Sequence, residues 1–303
     1  MRVRGLTRRF GPVTAVDDLS FEVASGELFG IVGPDGAGKT TTLRMLAGVL
    51  RPDSGSAEVM GVDVVGSPEL AKPQLAYMSQ RFGMYEDLTV QENLDFYADL
   101  YRVPTTERGP RLARLYKMSR LGEFSDRLAG RLSGGMKQKL SLSCALVHHP
   151  GLLLLDEPTF GVDPLSRREL WLILHEMVAE GVTVVVSTSY LDEAERCDRV
   201  ALLHHGRILA IDRPEALQRG LDGRLRAVRT PHARSAREVL SRIPGVRSAV
   251  LFGDVVHVLS EPELSEEVLV QALAAAGITR VEVEDEEPSL EDVFIQRVVS
   301  SGP

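Results

Sequence analysis

No apolar run in this 303-residue chain approaches the ~18 residues that a membrane-spanning helix requires, so no such helix is expected. Cysteine is scarce. Cys144 and Cys197 stand far apart and neither has metal-ligand spacing, which excludes a disulfide framework. A positive excess is missing too: the net charge is −8, against the basic balance of a general nucleic-acid binder, so no nucleic-acid partner is expected. Met1–Phe10 is basic, but no apolar stretch follows that would make it a secretory signal. Repeats and low-complexity segments are absent, apart from the acidic run Glu284–Glu287, which reads as a solvated face. What remains is an ordinary globular composition, 44% apolar and 26% charged, long enough for one large or two modest domains.

Gly33–Thr40 (GPDGAGKT) is the stretch around which the rest is organised. It fits G-x-x-x-x-G-K-[ST], a phosphate-binding pattern. Gly33, Gly36 and Gly38 let the backbone turn tightly and approach a ligand, and the N–H groups of such a turn form an anion-binding concavity. Pro34, Asp35 and Ala37 complete the turn, and a helix start adds positive dipole. Lys39 brings a point charge to the outer phosphates; Thr40 brings a hydroxyl to Mg²⁺, with Thr41 beside it. The flanks suit the motif, since Glu27–Val32 reads as a buried strand and Thr41–Leu50 has helical apolar spacing.

Val13–Val23 alternates like a strand, preceded by Phe10, which is either an exposed aromatic able to stack on a purine or a core residue at a strand end. Pro52–Gly55 reads as a loop, and Leu75–Gln80 as a strand that brings Gln80 to its carboxyl end. From Leu88 to Leu146 the periodicity turns helical, interrupted by Arg131–Leu140, where Ser133 can cap a helix and Gly134–Gly135 free the backbone. Gly151–Pro158 (GLLLLDEP) reads as a central parallel strand whose end presents Asp156, suited to Mg²⁺, and Glu157, suited to a water-orienting base. Gly181–Ser187 is a further buried strand, Tyr190–Cys197 opens a helix, and two short strands flank His204–Gly206, a turn and not a metal site. Past Leu217 the segments alternate strand, helix, strand pair, helix, strand, as in a small α+β layer of split βαβ type.

In this order the motifs resemble those of ATP-binding cassette (ABC) transporter ATPases, over roughly residues 1–218. Gly33–Thr40 is similar to Walker A, Gln80 falls at the Q-loop, Leu132–Met136 (LSGGM) at the signature, Leu152–Glu157 at Walker B and Gly161–Pro164, with Asp163, at the D-loop. Phe10 sits where the adenine-stacking aromatic is found. The likeness is nearest to the subunits of type-two drug exporters, through GPDGAGKTT, LSGGMKQKL and the tail Pro288–Ile295, and to one half of a tandem two-cassette efflux ATPase.

That resemblance implies an α/β P-loop NTPase fold with a RecA-like, mostly parallel sheet, an antiparallel β subdomain and a helical subdomain at about 84–146, followed by an α+β accessory domain at 219–303. It implies ATP and Mg²⁺ as cofactors, the metal held by Thr40, Gln80 and Asp156, and ATP hydrolysis that powers export. Two cassettes would meet head to tail, Ser133, Gly134 and Gly135 of one closing over the nucleotide of the other. A separate membrane permease would dock near Gln80–Tyr85, placing the chain on the cytoplasmic face of the membrane. Three residues depart from the pattern. Asp35 replaces an asparagine and Met136 a glutamine; Ser189 stands where a switch histidine reaches the γ-phosphate, and serine cannot make that charge-assisted contact. Slow hydrolysis with retained ATP binding is the expected result.

Overall fold

The computed structural model describes residues 1–301 and divides into two units, Met1–Arg213 and a second from Pro214 onward. In the first unit the strands are β1 (Arg2–Phe10), β2 (Val13–Glu22), β3 (Leu28–Val32), β4 (Ser54–Val59), β5 (Val62–Asp63), β6 (Leu75–Met78), β7 (Leu152–Asp156), β8 (Thr183–Thr188), β9 (Arg199–His204) and β10 (Arg207–Asp212). Its helices are α1 (Lys39–Leu46), α2 (Pro68–Ala71), α3 (Val90–Leu100), α4 (Thr105–Ser119), α5 (Gly134–Leu146), α6 (Pro164–Ala179) and α7 (Leu191–Ala194).

A six-stranded sheet in the order β10-β9-β3-β8-β7-β6 forms the centre; every neighbouring pair is parallel except β10 with β9. Strands β3, β7 and β8 are buried along their whole length, which is why they read as unbroken apolar runs instead of alternating ones. A second, antiparallel sheet runs β2-β1-β4-β5. It shares one core with the central sheet: Val3, Leu6 and Ala57 pack in the same cluster as Phe29, Ile31 and Leu154. Some segments differ from the expectation set by the sequence. Pro52–Gly55 is only partly a loop, because Ser54 and Gly55 already belong to β4, with Ser54 paired to Thr7. The helix opened at Tyr190–Cys197 is only the four residues of α7.

The helical region comprises α3, α4 and α5. Helix α3 starts in a capping box, Thr89 accepting from Glu92 N at 3.1 Å while Glu92 accepts from Thr89 N at 2.7 Å. Ser133 caps α5, its hydroxyl accepting from Met136 N at 3.3 Å.

The second unit contains α8 (Pro214–Arg219), β11 (Arg224–Arg229), α9 (Ala233–Leu240), β12 (Val246–Phe252), β13 (Val255–Ser260), α10 (Glu266–Ala275), β14 (Glu282–Asp285) and α11 (Leu290–Ser301). Its strands pair antiparallel in the order β12-β13-β11-β14, the split βαβ arrangement, over a core of Val228, Leu240, Val256, Val258, Leu269 and Leu273. Arg226 is buried here, donating to Ser260 Oγ (3.1 Å) and the Leu264 carbonyl (2.7 Å). The acidic run is exposed but not idle: Asp285 forms an ion pair with Arg224 at 2.5 Å. Asp292 joins the cap of α11 to the sheet, accepting from Ser289 N at 3.0 Å and lying 2.9 Å from His257 Nδ1.

Candidate nucleotide site

The glycine loop leaves β3 and enters α1 through left-handed backbone, with φ of 79° at Gly36 and 102° at Gly38. Each glycine has a separate reason. A Cβ on Gly33 would collide with the Leu203 carbonyl and one on Gly38 with the Ala15 carbonyl, whereas Gly36 faces open space. The fold therefore packs the loop from behind and leaves its front free, as a cradle for an anion at a helix start requires.

Lys39 folds back into this loop. Its Nζ is buried, donating to the Gly33 carbonyl at 2.7 Å and the Pro34 carbonyl at 3.2 Å, and it lies 2.9 Å from Glu157 Oε1. Glu157 is buried as well and accepts from Gln80 Nε2 at 3.0 Å. Its φ is +47°, a region disfavoured for any residue with a Cβ, and a donation from its own N to Ser187 Oγ (3.0 Å) holds it there. Gln80 reaches Glu157 from two residues past the end of β6, so the strand that was expected to end at Gln80 stops at Met78.

Asp156 is the last residue of β7. Its Oδ1 accepts from Thr40 Oγ1 (3.0 Å) and Ser187 Oγ (2.8 Å), and its Oδ2 from Tyr77 OH (3.2 Å). Burial, and after it the Asp156 charge, push the Tyr77 phenol above its usual pKa, which keeps it a donor. The hard oxygens of Thr40 and Asp156, with the Gln80 amide nearby, suit Mg²⁺, a metal that takes one or two protein groups and fills its shell from phosphate and water.

A cavity of about 490 Å³ opens over these groups. Asp35, Gly36, Ala37, Gly38, Lys39, Thr40 and Thr41 form its floor; Gln80 and Glu157 close one end. Phe10, Val13, Thr14 and Ala15 form another wall, with His205. Phe10 is not a core residue: its ring is 47% exposed at the end of β1, with the Arg8 guanidinium 4.8 Å from its centroid. Ser133, Gly134, Gly135, Asp163 and Ser189 lie outside this cavity. Gly135 instead packs against α6 of its own chain, since a Cβ there would collide with Ser166 Oγ, and Asp163 caps α6 by accepting from Ser166 N at 3.0 Å. Ser189 is half-buried just past β8. Its neighbour Thr188 donates to the buried Glu193 at 2.8 Å.

Sequence reasoning does not find Tyr77, Ser187 or His205. The register that sets Ser187 opposite Asp156, and the strand order that sets β6 beside β7, bring the first two to the carboxylate. No local pattern announces either pairing.

A glycine loop between a buried strand and a helix, with two carboxylates at the end of a neighbouring parallel strand, defines a P-loop nucleotide-binding cassette. The chain belongs to the ABC transporter family, whose model matches residues 16–160. It is 45% identical to the probable multidrug ABC transporter ATP-binding protein YbhF of Escherichia coli (strain K12) over 99% of this chain and 52% of that protein. The chain thus spans about half the length of that relative. It is 37% identical to the Nod factor export ATP-binding protein I of Rhizobium sp. (strain N33), over 96% of this chain and 94% of the relative. A solved structure of the ATP-binding subunit of an ABC transporter superposes with a TM-score of 0.66 at 33% identity, over 72% of this chain and 91% of that one. No described helix is long and apolar enough to cross a membrane.

Proposed function

We propose that the chain binds and hydrolyses ATP with Mg²⁺ and drives export of a small, drug-like molecule through a separate membrane permease, from the cytoplasmic face of the membrane. The observation that carries this is that Lys39, Glu157 and Gln80 line one cavity together with the glycine loop, while Asp156 accepts from Thr40 of that same lining at 3.0 Å. A bound magnesium triphosphate supplies the transferable phosphoryl group and the metal charge. The chain's residues do the rest. The loop N–H groups and Lys39 hold the phosphates, which requires Lys39 to exchange Glu157 for them. Thr40 and Asp156 hold the metal from the protein side. Glu157, released from Lys39 and still within reach of Gln80, orients the attacking water. Phe10 stacks on the base. Ser133, Gly134, Gly135 and Asp163 stand outside this cavity and are read as the surface presented to the nucleotide of a second cassette, a homo- or heterodimer partner. Tyr85, 50% exposed and edge-on to Phe96 at 4.8 Å, belongs to the patch read as the permease dock.

The Glu157→Gln variant tests the enzyme reading. It should retain nucleotide affinity and lose about 10²-fold or more in turnover; unchanged turnover would leave only a nucleotide-gated binding subunit.

Ser189 favours a refinement: this chain's own site hydrolyses slowly, and an active second cassette carries most turnover. Its hydroxyl cannot supply the imidazole contact at the γ-phosphate, a loss on the order of 10²-fold. Ser189→His should raise the ATPase rate, alone or with the partner cassette, and no rise counts against the refinement.

A further inference from the structure

The turn between β9 and β10 carries a histidine that its packing does not explain. His205 and Gly206 form a two-residue hairpin loop, with φ of +47° and +76° and the flanking residues His204 and Arg207 paired. Such a primed turn favours Asn-Gly, so histidine is not what the backbone asks for. Nor does the core: the His205 ring is exposed, and its described ring contact is with His204, centroids 4.0 Å apart.

The turn itself is firmly held. Gly206 N donates to the Ala37 carbonyl in the glycine loop (3.1 Å), and Asp17 N donates to the Gly206 carbonyl (2.8 Å). Arg207 Nε donates to Asp17 Oδ2 at 2.7 Å, a third tie and the second to β2. A Cβ on Gly206 would press on the Ala15 carbonyl, and one on Gly38 would sit 3.5 Å from Gly206 Cα, so turn, β2 and loop are packed without slack. These ties deliver His205 to the cavity wall. Phe10 and Val13 line the same cavity as Lys39, Gln80 and Glu157, and the turn is packed on two further lining residues, Ala15 and Gly38.

We propose that His205 is a nucleotide-binding residue of this chain, hydrogen-bonding the sugar that joins base and phosphates in the bound nucleotide. This rests on the nucleotide reading given above. The imidazole offers both a donor and an acceptor, which matches a pair of sugar hydroxyls. Glycine-loop contacts read phosphate alone; His205 adds recognition of the nucleoside part.

Calorimetric titration of the whole chain with MgADP and with magnesium tripolyphosphate, which lacks sugar and base, tests this in the wild type and in His205→Gly. Glycine suits the turn and carries neither donor nor acceptor in its side chain, so the variant should fold, which its melting temperature checks. The expected result is an ADP dissociation constant raised about 3- to 10-fold, the worth of one or two hydrogen bonds, with tripolyphosphate binding unchanged. Equal ADP affinity in both proteins overturns the proposal while the nucleotide reading stands. Equal weakening for both ligands also overturns it, because the loop as a whole would then be disturbed. A wild type that binds tripolyphosphate but not ADP overturns it as well, and a wild type that binds neither removes the nucleotide reading itself.

Discussion

In the unit Met1–Arg213, the buried cation Lys39 and the buried carboxylate Glu157 meet at 2.9 Å on the border of a cavity, beside an Asp156 that three hydroxyls surround. Past Pro214, Arg226 and Asp292 are equally hidden, but each is used up internally, the first by Ser260 and the Leu264 carbonyl, the second by Ser289 and His257. Burying a charge is costly unless it is paired and hydrogen-bonded. Both regions meet that demand, so burial and pairing do not by themselves mark a working site. What separates them is that the partners in the first region border open space, where a ligand can replace one of them.

Paired substitutions sharpen the contrast. Lys39→Met should raise the ATP dissociation constant by about 100-fold or more, since a charge-assisted contact to phosphate and the counter-charge of Glu157 are both lost. Arg226→Met should leave ATP affinity within about twofold of wild type while lowering stability by about 1–3 kcal/mol, because the Ser260 hydroxyl and the Leu264 carbonyl lose a buried donor. Titration calorimetry and urea unfolding read the two quantities. An Arg226→Met chain that no longer binds ATP would break the distinction.

The smallest effect is expected at His148, which lies in the first unit but outside the nucleotide cavity. Burial pushes this imidazole from 6.5 down to about 4, and its ring stacks on Tyr101 at 3.7 Å. Between those two pH values the unfolded chain takes up a proton that the folded chain refuses, so folding stability must fall as pH drops from 6.5 towards 4 and level off below. Melting temperature against pH should therefore fall less steeply over that window in His148→Phe than in the wild type, with ATP affinity at neutral pH unchanged. Identical slopes would show that the buried imidazole adds nothing to the acid sensitivity.

Much of the site is legible in the amino-acid sequence. The spacing of Gly33, Gly38, Lys39 and Thr40 is local, and so is the four-leucine run that brings Asp156 and Glu157 to a strand end. Strand β1 is not legible as a strand. Its arginines hide the alternation, and a left-handed Gly5 at +58° shifts the register between Val3 and Leu6. Helix α6 and helix α11 raise no expectation either, although Asp163 and Ser289 prove to be capping residues. Family likeness alone places Gln80 at the site; its bond to Glu157 spans 77 positions and depends on β6 lying beside β7. Tyr77, Ser187 and His205 share that dependence, and local periodicity carries no information about which strands become neighbours.

The ion pair between Lys39 and Glu157 has a consequence for the proposed reaction. The carboxylate read as the water-orienting group is tethered to the very ammonium that a bound triphosphate would claim. On that reading, arrival of the fuel would also release the catch.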